Sequence, residues 1–196
     1  MIFSLKKNLI PCAAIAVLIL YGYFFARSVT REDFPGENDY RLSNKHLEEK
    51  NYQAALESID RAVSKSPGLP PLLLTRGIIL MFLGLPEESR TSLDSAIALK
   101  SDFAEAYANR GILHDRAGRY KEALNDYRMA LGLNPKLAEG PGRLWRFIRN
   151  VQDKQITIRD RAAYIENEMK KPAAERKLKY EPEDRKQRMH QPGKLF

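Results

Sequence analysis

Shifted by 34 residues, the chain lands on itself twice. Gly111 falls on Gly77 and then on Ser43, and Gly118 on Gly84 and then Lys50. Ala123 meets Ser89 and Ala55; Ala130 meets Ala96 and Ala62; Tyr120 meets Pro86 and Tyr52; Pro135 meets Ser101 and Pro67. Three ungapped units follow, 36–69, 70–103 and 104–137. A fixed period of this length constrains the fold more than any other property of the sequence. Each unit must be one supersecondary element that buries its apolar face only by stacking on its neighbours.

The third unit shows what the element is. A first helix runs from about Ala104 to Ala117 and stops at Gly118, which can take the left-handed conformation that ends helices. A second starts near Tyr120 and ends at Asn134-Pro135, where proline cannot extend it. Small residues at Gly111, Ala123 and Ala130 let the two backbones approach, while Tyr107, Tyr127 and Leu131 fill the volume beside them. The fold class is all-α.

Tyr107, Gly111, Tyr120, Ala123, Tyr127, Ala130 and Pro135 together resemble the tetratricopeptide repeat family. The first unit keeps Tyr52, Ala55, Ala62 and Pro67 with Ser43 at the glycine place. The second keeps Gly77 and Ala96 with Ser89 and Pro86 elsewhere. The resemblance implies a right-handed helical-hairpin solenoid whose first helices line a concave groove for peptides or partner proteins, without catalysis. It places Tyr40, Arg41, Asn44 and Glu48 in that groove from the first unit, and Leu74, Thr75, Ile78, Met81 and Phe82 from the second. From the third come Ala108, Asn109, Ile112, Asp115 and Arg116. Some members grip a C-terminal carboxylate with Lys, Asn and Arg. Asn44 fits that clamp, but Tyr40, Thr75, Glu105 and Asn109 stand where its other residues would be, so a chaperone-type carboxylate clamp is not expected.

The second unit departs from its neighbours. LPPLLLTRGIILMFLGLP (69–86) is apolar around nearly the whole helix circumference, the mark of burial on more than one side. Either it is a middle repeat packed between neighbours, or Leu74, Ile78 and Met81 form an apolar floor covered by a partner or by this chain's own C-terminal arm.

Charge is unevenly spread. Of the net +8, the repeats contribute nothing, with fourteen basic and fourteen acidic residues in 36–137; residues 138–196 hold fifteen basic against nine acidic. Before the repeats, LIPCAAIAVLILYGYFFA (9–26) carries no charge over 18 residues. As a helix it spans about 27 Å, close to the ~30 Å hydrocarbon core of a bilayer. Lys6 and Lys7 lie in the short basic stretch 1–8 before it, and Tyr21, Tyr23, Phe24 and Phe25 crowd its far end as interfacial aromatics do. Against cleavage, the apolar run ends without a small-x-small site, since bulky Phe24 precedes Ala26. The segment is therefore read as an uncleaved signal-anchor holding the chain in the lipid bilayer, with 27–35 as linker. Arg27 and Arg31 on the far flank leave the charge bias weak. The soluble domain is expected outside the cytoplasm, in the periplasm if the source is bacterial. A single cysteine, Cys12, excludes an internal disulfide.

Beyond the repeats, 138–171 reads as two helices. GPGRLWRFIRN breaks at Gly140-Pro141-Gly142 and then presents Leu144, Trp145, Ile148 and Val151 on one side. It is either the capping helix that a solenoid end requires or, through Arg143, Arg146 and Arg149 with Trp145, a docking face. TIRDRAAYIENEMKK opens with a capping box at Thr157 and Asp160 and carries Ile158, Ala162, Ile165 and Met169 in one stripe. It packs on the solenoid or docks on a partner. The basic tail 172–196 has too few apolar residues to bury much and reads as partly disordered. Lys170, Lys171, Lys177 and Lys179 suit an anionic membrane surface.

Nothing in the chain carries a catalytic constellation. His46 and His114 occupy equivalent places two periods apart and read as packing residues rather than metal ligands. No catalytic residue, metal site or cofactor is expected, nucleic acid is disfavoured as a partner, and the oligomeric state is open. The sequence thus reads as a membrane-anchored adaptor that binds a protein or peptide and supports a membrane or envelope complex. The alternative is a cytoplasm-facing tether whose basic tail binds anionic lipid or nucleic acid.

Overall fold

The computed structural model describes residues 15–22, 34–139 and 156–179. The chain divides into two units, Met1–Phe34 and Pro35–Phe196. In the first, residues 15–22 are helical and their side chains exposed. Among the described residues no helix is long and apolar enough to cross a membrane. Most of the expected 9–26 span lies outside them.

The second unit is all helical among its described residues: α1 (Glu37–Glu48), α2 (Tyr52–Lys65), α3 (Pro70–Phe82), α4 (Pro86–Leu99), α5 (Ala104–Arg116), α6 (Tyr120–Leu133) and α7 (Ile158–Met169), with 3-10 turns at Pro135–Ala138 and Ala173–Glu175. Pairs α1/α2, α3/α4 and α5/α6 form three successive hairpins, and each second helix packs on the first helix of the next hairpin.

The same local chemistry sets every hairpin turn. At the end of α5 the Gly118 N–H donates to Asp115 O at 2.9 Å and the Arg119 N–H to His114 O at 2.8 Å. These bonds satisfy carbonyls that the helix end leaves orphaned. The pattern recurs 34 residues earlier at Gly84 and Leu85, and again at Lys50 and Asn51. It needs a positive φ, which Gly118 and Gly84 supply at 73° each. Lys50 supplies it at 60°, a conformation that strains a residue with a Cβ. Prolines at the first position of α3 and α4 start those helices where a missing N–H does no harm.

Inside each hairpin, small residues face large ones. A Cβ added at Gly111 would lie 2.7 Å from the Tyr127 ring, and one at Gly77 would lie 2.8 Å from Leu93 Cγ. In the first hairpin Ser43 fills that place and donates from its hydroxyl to Ala55 O at 2.9 Å. Ala55, Ile59, Ala62, Leu72, Ile79, Leu93, Ala96, Ala123, Tyr127 and Ala130 are among the fully buried core residues. Helix α3 is buried at eight of its thirteen residues, as a middle element packed on several sides must be.

Beyond the third hairpin, α7 packs against α6 and the Pro135–Ala138 turn through Ile158, Ala162 and Ile165. Its capping box is formed: the Thr157 hydroxyl accepts from Asp160 N, and the Asp160 carboxylate accepts from Thr157 N. Of the two expected C-terminal helices, this second one lies at the end of the solenoid; the 143–151 segment, with Arg143, Trp145, Arg146 and Arg149, lies outside the described residues.

Candidate functional site: the faces of the first helices

Helices α1, α3 and α5 carry the residues expected to line the groove. Their exposure runs in a gradient along the solenoid. On α1, Tyr40 and Asn44 are half-buried and Arg41 is exposed, its guanidinium paired with Glu37 one turn earlier. On α3, Leu74, Thr75 and Ile78 are fully buried and Met81 nearly so, while Phe82 is 41% exposed. On α5, Ala108, Asn109 and Ile112 are fully buried and Arg116 is exposed. An open end at the first hairpin thus gives way to a closed middle and far end. Phe82 stacks on Tyr52, with ring centroids 4.9 Å apart and planes within 5°.

Three side chains on these helices have buried polar atoms with no hydrogen-bond partner among the described residues, Asn44 Oδ1, His46 Nδ1 and Thr75 Oγ1. An unmade bond of this kind costs about 1–3 kcal/mol, so such atoms are rare in folded proteins and mark places where another group is wanted. Asn109 is satisfied internally, its Nδ2 donating to Glu105 O at 2.8 Å. The four places where the clamp's other residues would stand hold Tyr40, Thr75, Glu105 and Asn109, none of them a cation.

At the closed end Asp115, expected in the groove, is engaged by the chain itself. Arg161 of α7 donates from Nε and Nη2 to the two Asp115 oxygens, each at 2.7 Å, and both side chains are buried. The Tyr127 hydroxyl donates to Asp115 Oδ2 at 3.1 Å, and Arg161 Nη2 also donates to Leu178 O at 2.9 Å. One guanidinium therefore joins α5, α7 and the chain that follows α7. Nothing in the local sequence flags Arg161: its partner is 46 positions away, and no helical spacing relates them.

The ion pairs between hairpins repeat with the fold. Arg76 donates from Nε to Asp60 Oδ1 at 2.6 Å and from Nη1 to Ser92 Oγ at 2.7 Å. Arg110, one period later, donates to Asp94 at 2.9 Å and to both oxygens of Asp126 at 2.7 and 2.8 Å. Its bonds to Asp126 hold the Arg110 guanidinium still more firmly in its charged form than usual. His114 Nδ1 accepts from Arg119 Nε at 2.9 Å, and burial pushes its pKa down.

The tetratricopeptide repeat family model matches residues 104–137. A DnaJ homolog subfamily C member 7 homolog of Dictyostelium discoideum is 29% identical over 107 residues, covering 53% of this chain and 20% of that protein. The protein O-mannosyl-transferase TMTC1 of Mus musculus is 32% identical over 122 residues, 58% of this chain and 13% of that one. The chain thus spans a fifth or less of the length of these curated relatives. Among solved structures, the first TPR of Spaghetti (RPAP3) bound to the HSP90 peptide SRMEEVD superposes with a TM-score of 0.52 at 21% identity, covering 62% of this chain and 97% of that one. The Sgt2 TPR domain from Aspergillus fumigatus gives 0.52 at 17% identity, over 70% and 85%. The chain carries a tetratricopeptide repeat, and its hairpins have the tetratricopeptide solenoid fold.

Proposed function

We propose that this protein is a membrane-anchored tetratricopeptide adaptor that binds a protein or peptide at the open end of its groove and supports assembly of a membrane or envelope complex. The observation that carries the reading is Asn44 Oδ1, a buried acceptor without a partner among the described residues, on the one first helix whose face is still open. An extended peptide offers a backbone N–H at every residue, and a turn of the half-buried Asn44 side chain brings that oxygen to one of them. Tyr40, half-buried, and the exposed Arg41, Phe82 and Arg116 are the accessible places on the same three helices. The packed residues below them, Leu74, Ile78, Met81, Ala108 and Ile112, are its rigid support.

Because Tyr40, Thr75, Glu105 and Asn109, none of them a cation, stand at the clamp's other places, the ligand is held by its backbone and uncharged side chains rather than by a terminal carboxylate. The adaptor performs no chemical step. The 9–26 segment anchors it as a single span, with the repeats outside the cytoplasm.

A photo-crosslinking residue at Tyr40 in the full-length, membrane-embedded protein tests the binding. The expected result is an adduct with a second polypeptide whose purified form loses at least tenfold affinity for the Asn44→Ala variant. Adducts confined to the chain itself, or a partner indifferent to Asn44→Ala, would sink the groove reading. A C-terminal reporter active only outside the cytoplasm tests the orientation; silence there favours the cytoplasmic tether.

A further inference from the structure

We propose that a second site, the crevice between α6 and α7, takes an acidic polypeptide segment that presents an apolar side chain. The crevice has a volume of about 480 Å³ and lies between Lys121, Leu124, Asn125 and Arg128 on α6 and Glu166, Met169 and Lys170 at the end of α7. It shares no residue with the groove of the first helices.

Its chemistry follows from a reversal of charge along the repeat. Lys121, Asn125 and Arg128 stand at three register places that the second helix of each earlier hairpin also has. The first hairpin fills them with Gln53, Glu57 and Asp60, and the second with Glu87, Thr91 and Asp94. The third fills them with Lys121, Asn125 and Arg128. At the first two junctions the last place is an acid bound by an arginine of the next hairpin, Asp60 by Arg76 and Asp94 by Arg110. At the third it is a base, Arg128, whose Nη2 lies 2.6 Å from Glu166 Oε1.

That single acid is consumed by Arg128. Lys170 reaches only the neutral Asn167 Oδ1, at 3.4 Å, and neither Lys121 nor Lys170 has a carboxylate partner among the described residues. Between these cations lie Leu124 and Met169, which make the crevice mostly apolar. A leucine-sized side chain fits there while flanking carboxylates meet Lys121 and Lys170. Apolar burial supplies the affinity, and the charges select the partner and speed the encounter.

The test uses the full-length chain in neutral-lipid nanodiscs and a fluorescein-labelled peptide, Gly-Asp-Glu-Leu-Glu-Asp-Gly, read by fluorescence anisotropy. Saturable binding is expected, weakened at least tenfold by the double substitution Lys121→Glu and Lys170→Glu, and as strongly by serine in place of the peptide's leucine. Both lysines are exposed, so the variant keeps its fold, which circular dichroism checks. Asn44→Ala leaves this binding unchanged, which separates it from failure at the groove. No saturable binding, indifference to the double variant, or indifference to the leucine would each overturn the proposal. So would a chain that ignores the peptide yet binds phosphatidylserine-containing vesicles through the same two lysines, since the crevice would then face lipid.

Discussion

The first and third hairpins share one backbone plan and differ in how firmly each position is held. In the third, Gly111 lets Tyr127 close in, Gly118 makes the turn without strain, and a buried guanidinium neutralises Asp115. In the first, Ser43 stands for the glycine and Lys50 bears the left-handed turn. Its acid Asp39 is neutralised by exposed Arg61 and Lys65, at 3.0 and 2.6 Å. Bonds to Lys65 and Arg61 hold the Asp39 carboxyl below its usual range, but with both cations half-exposed such pairs contribute little. The third hairpin is also the one that the family model matches. The difference teaches that the groove opens where the repeat is least regular: the half-buried Tyr40 and Asn44 lie on the looser hairpin, and the fully buried Ala108 and Ile112 on the tighter one.

Removing the anchor of the tight end should erase the contrast most completely. Arg161→Ala leaves Asp115 buried with an uncompensated charge, a loss of about 3–5 kcal/mol. Denaturant unfolding measures the loss, and hydrogen exchange should show α7 and the third hairpin opening first. If exchange instead rises uniformly, the pair does not serve that end of the solenoid in particular.

Exchanging the small residues between hairpins comes next. Gly111→Ala drives a methyl to within 2.7 Å of the Tyr127 ring and should cost about 1–3 kcal/mol by overpacking. Ser43→Gly, the opposite change in the first hairpin, loses the buried bond to Ala55 O and should cost about 1 kcal/mol. A gain from either would show that the two hairpins are not separately fitted around that place.

The turn predicts a change of the opposite sign. Lys50→Gly relieves a side chain held at positive φ and should stabilise the chain by about 1 kcal/mol, whereas Gly118→Ala should destabilise it by a similar amount. A Cβ at Gly118 meets nothing within 4 Å, so its effect reports backbone strain alone.

The smallest effect is the pH dependence that His114 gives the third hairpin. Burial, opposed by Asp126 and Glu122 and reinforced by Arg119 and Arg110, lowers the His114 pKa, so the unfolded chain takes up a proton before the folded one does. Stability from the neutral imidazole is therefore complete above its ordinary value of about 6.5 and is lost as pH falls toward the lowered folded value. Chemical-denaturation midpoints from pH 7.5 downward should show the decline, and His114→Gln should flatten it.

What the sequence made legible was the part that repeats. Gly111, Ala123, Ala130 and Pro135 recur at one period because each hairpin solves the same packing problem. The helix ends at Gly118 and the capping box at Thr157 follow from local chemistry alone. The groove was readable as a set of places but not as a gradient, because the exposure of Ile78 or Ile112 depends on what packs above it. Nor could the closed end be read: two C-terminal segments carried similar apolar stripes, and Arg161 meets Asp115 only once the intervening chain has folded back. The register reversal at Lys121 and Arg128 was printed in the sequence, yet it has meaning only when α7 supplies the other wall.

The long reach of Arg161 also sets a schedule for synthesis. Asp115 leaves the ribosome 46 residues ahead of the arginine that neutralises it. At roughly 5–20 residues per second that is an interval of about 2–9 s. Through that interval the nascent solenoid grows from its looser end with an uncompensated carboxylate at its newest edge. The domain is closed by α7 rather than by its third hairpin, and a chain released before α7 emerges would carry all three hairpins and still be open at one end.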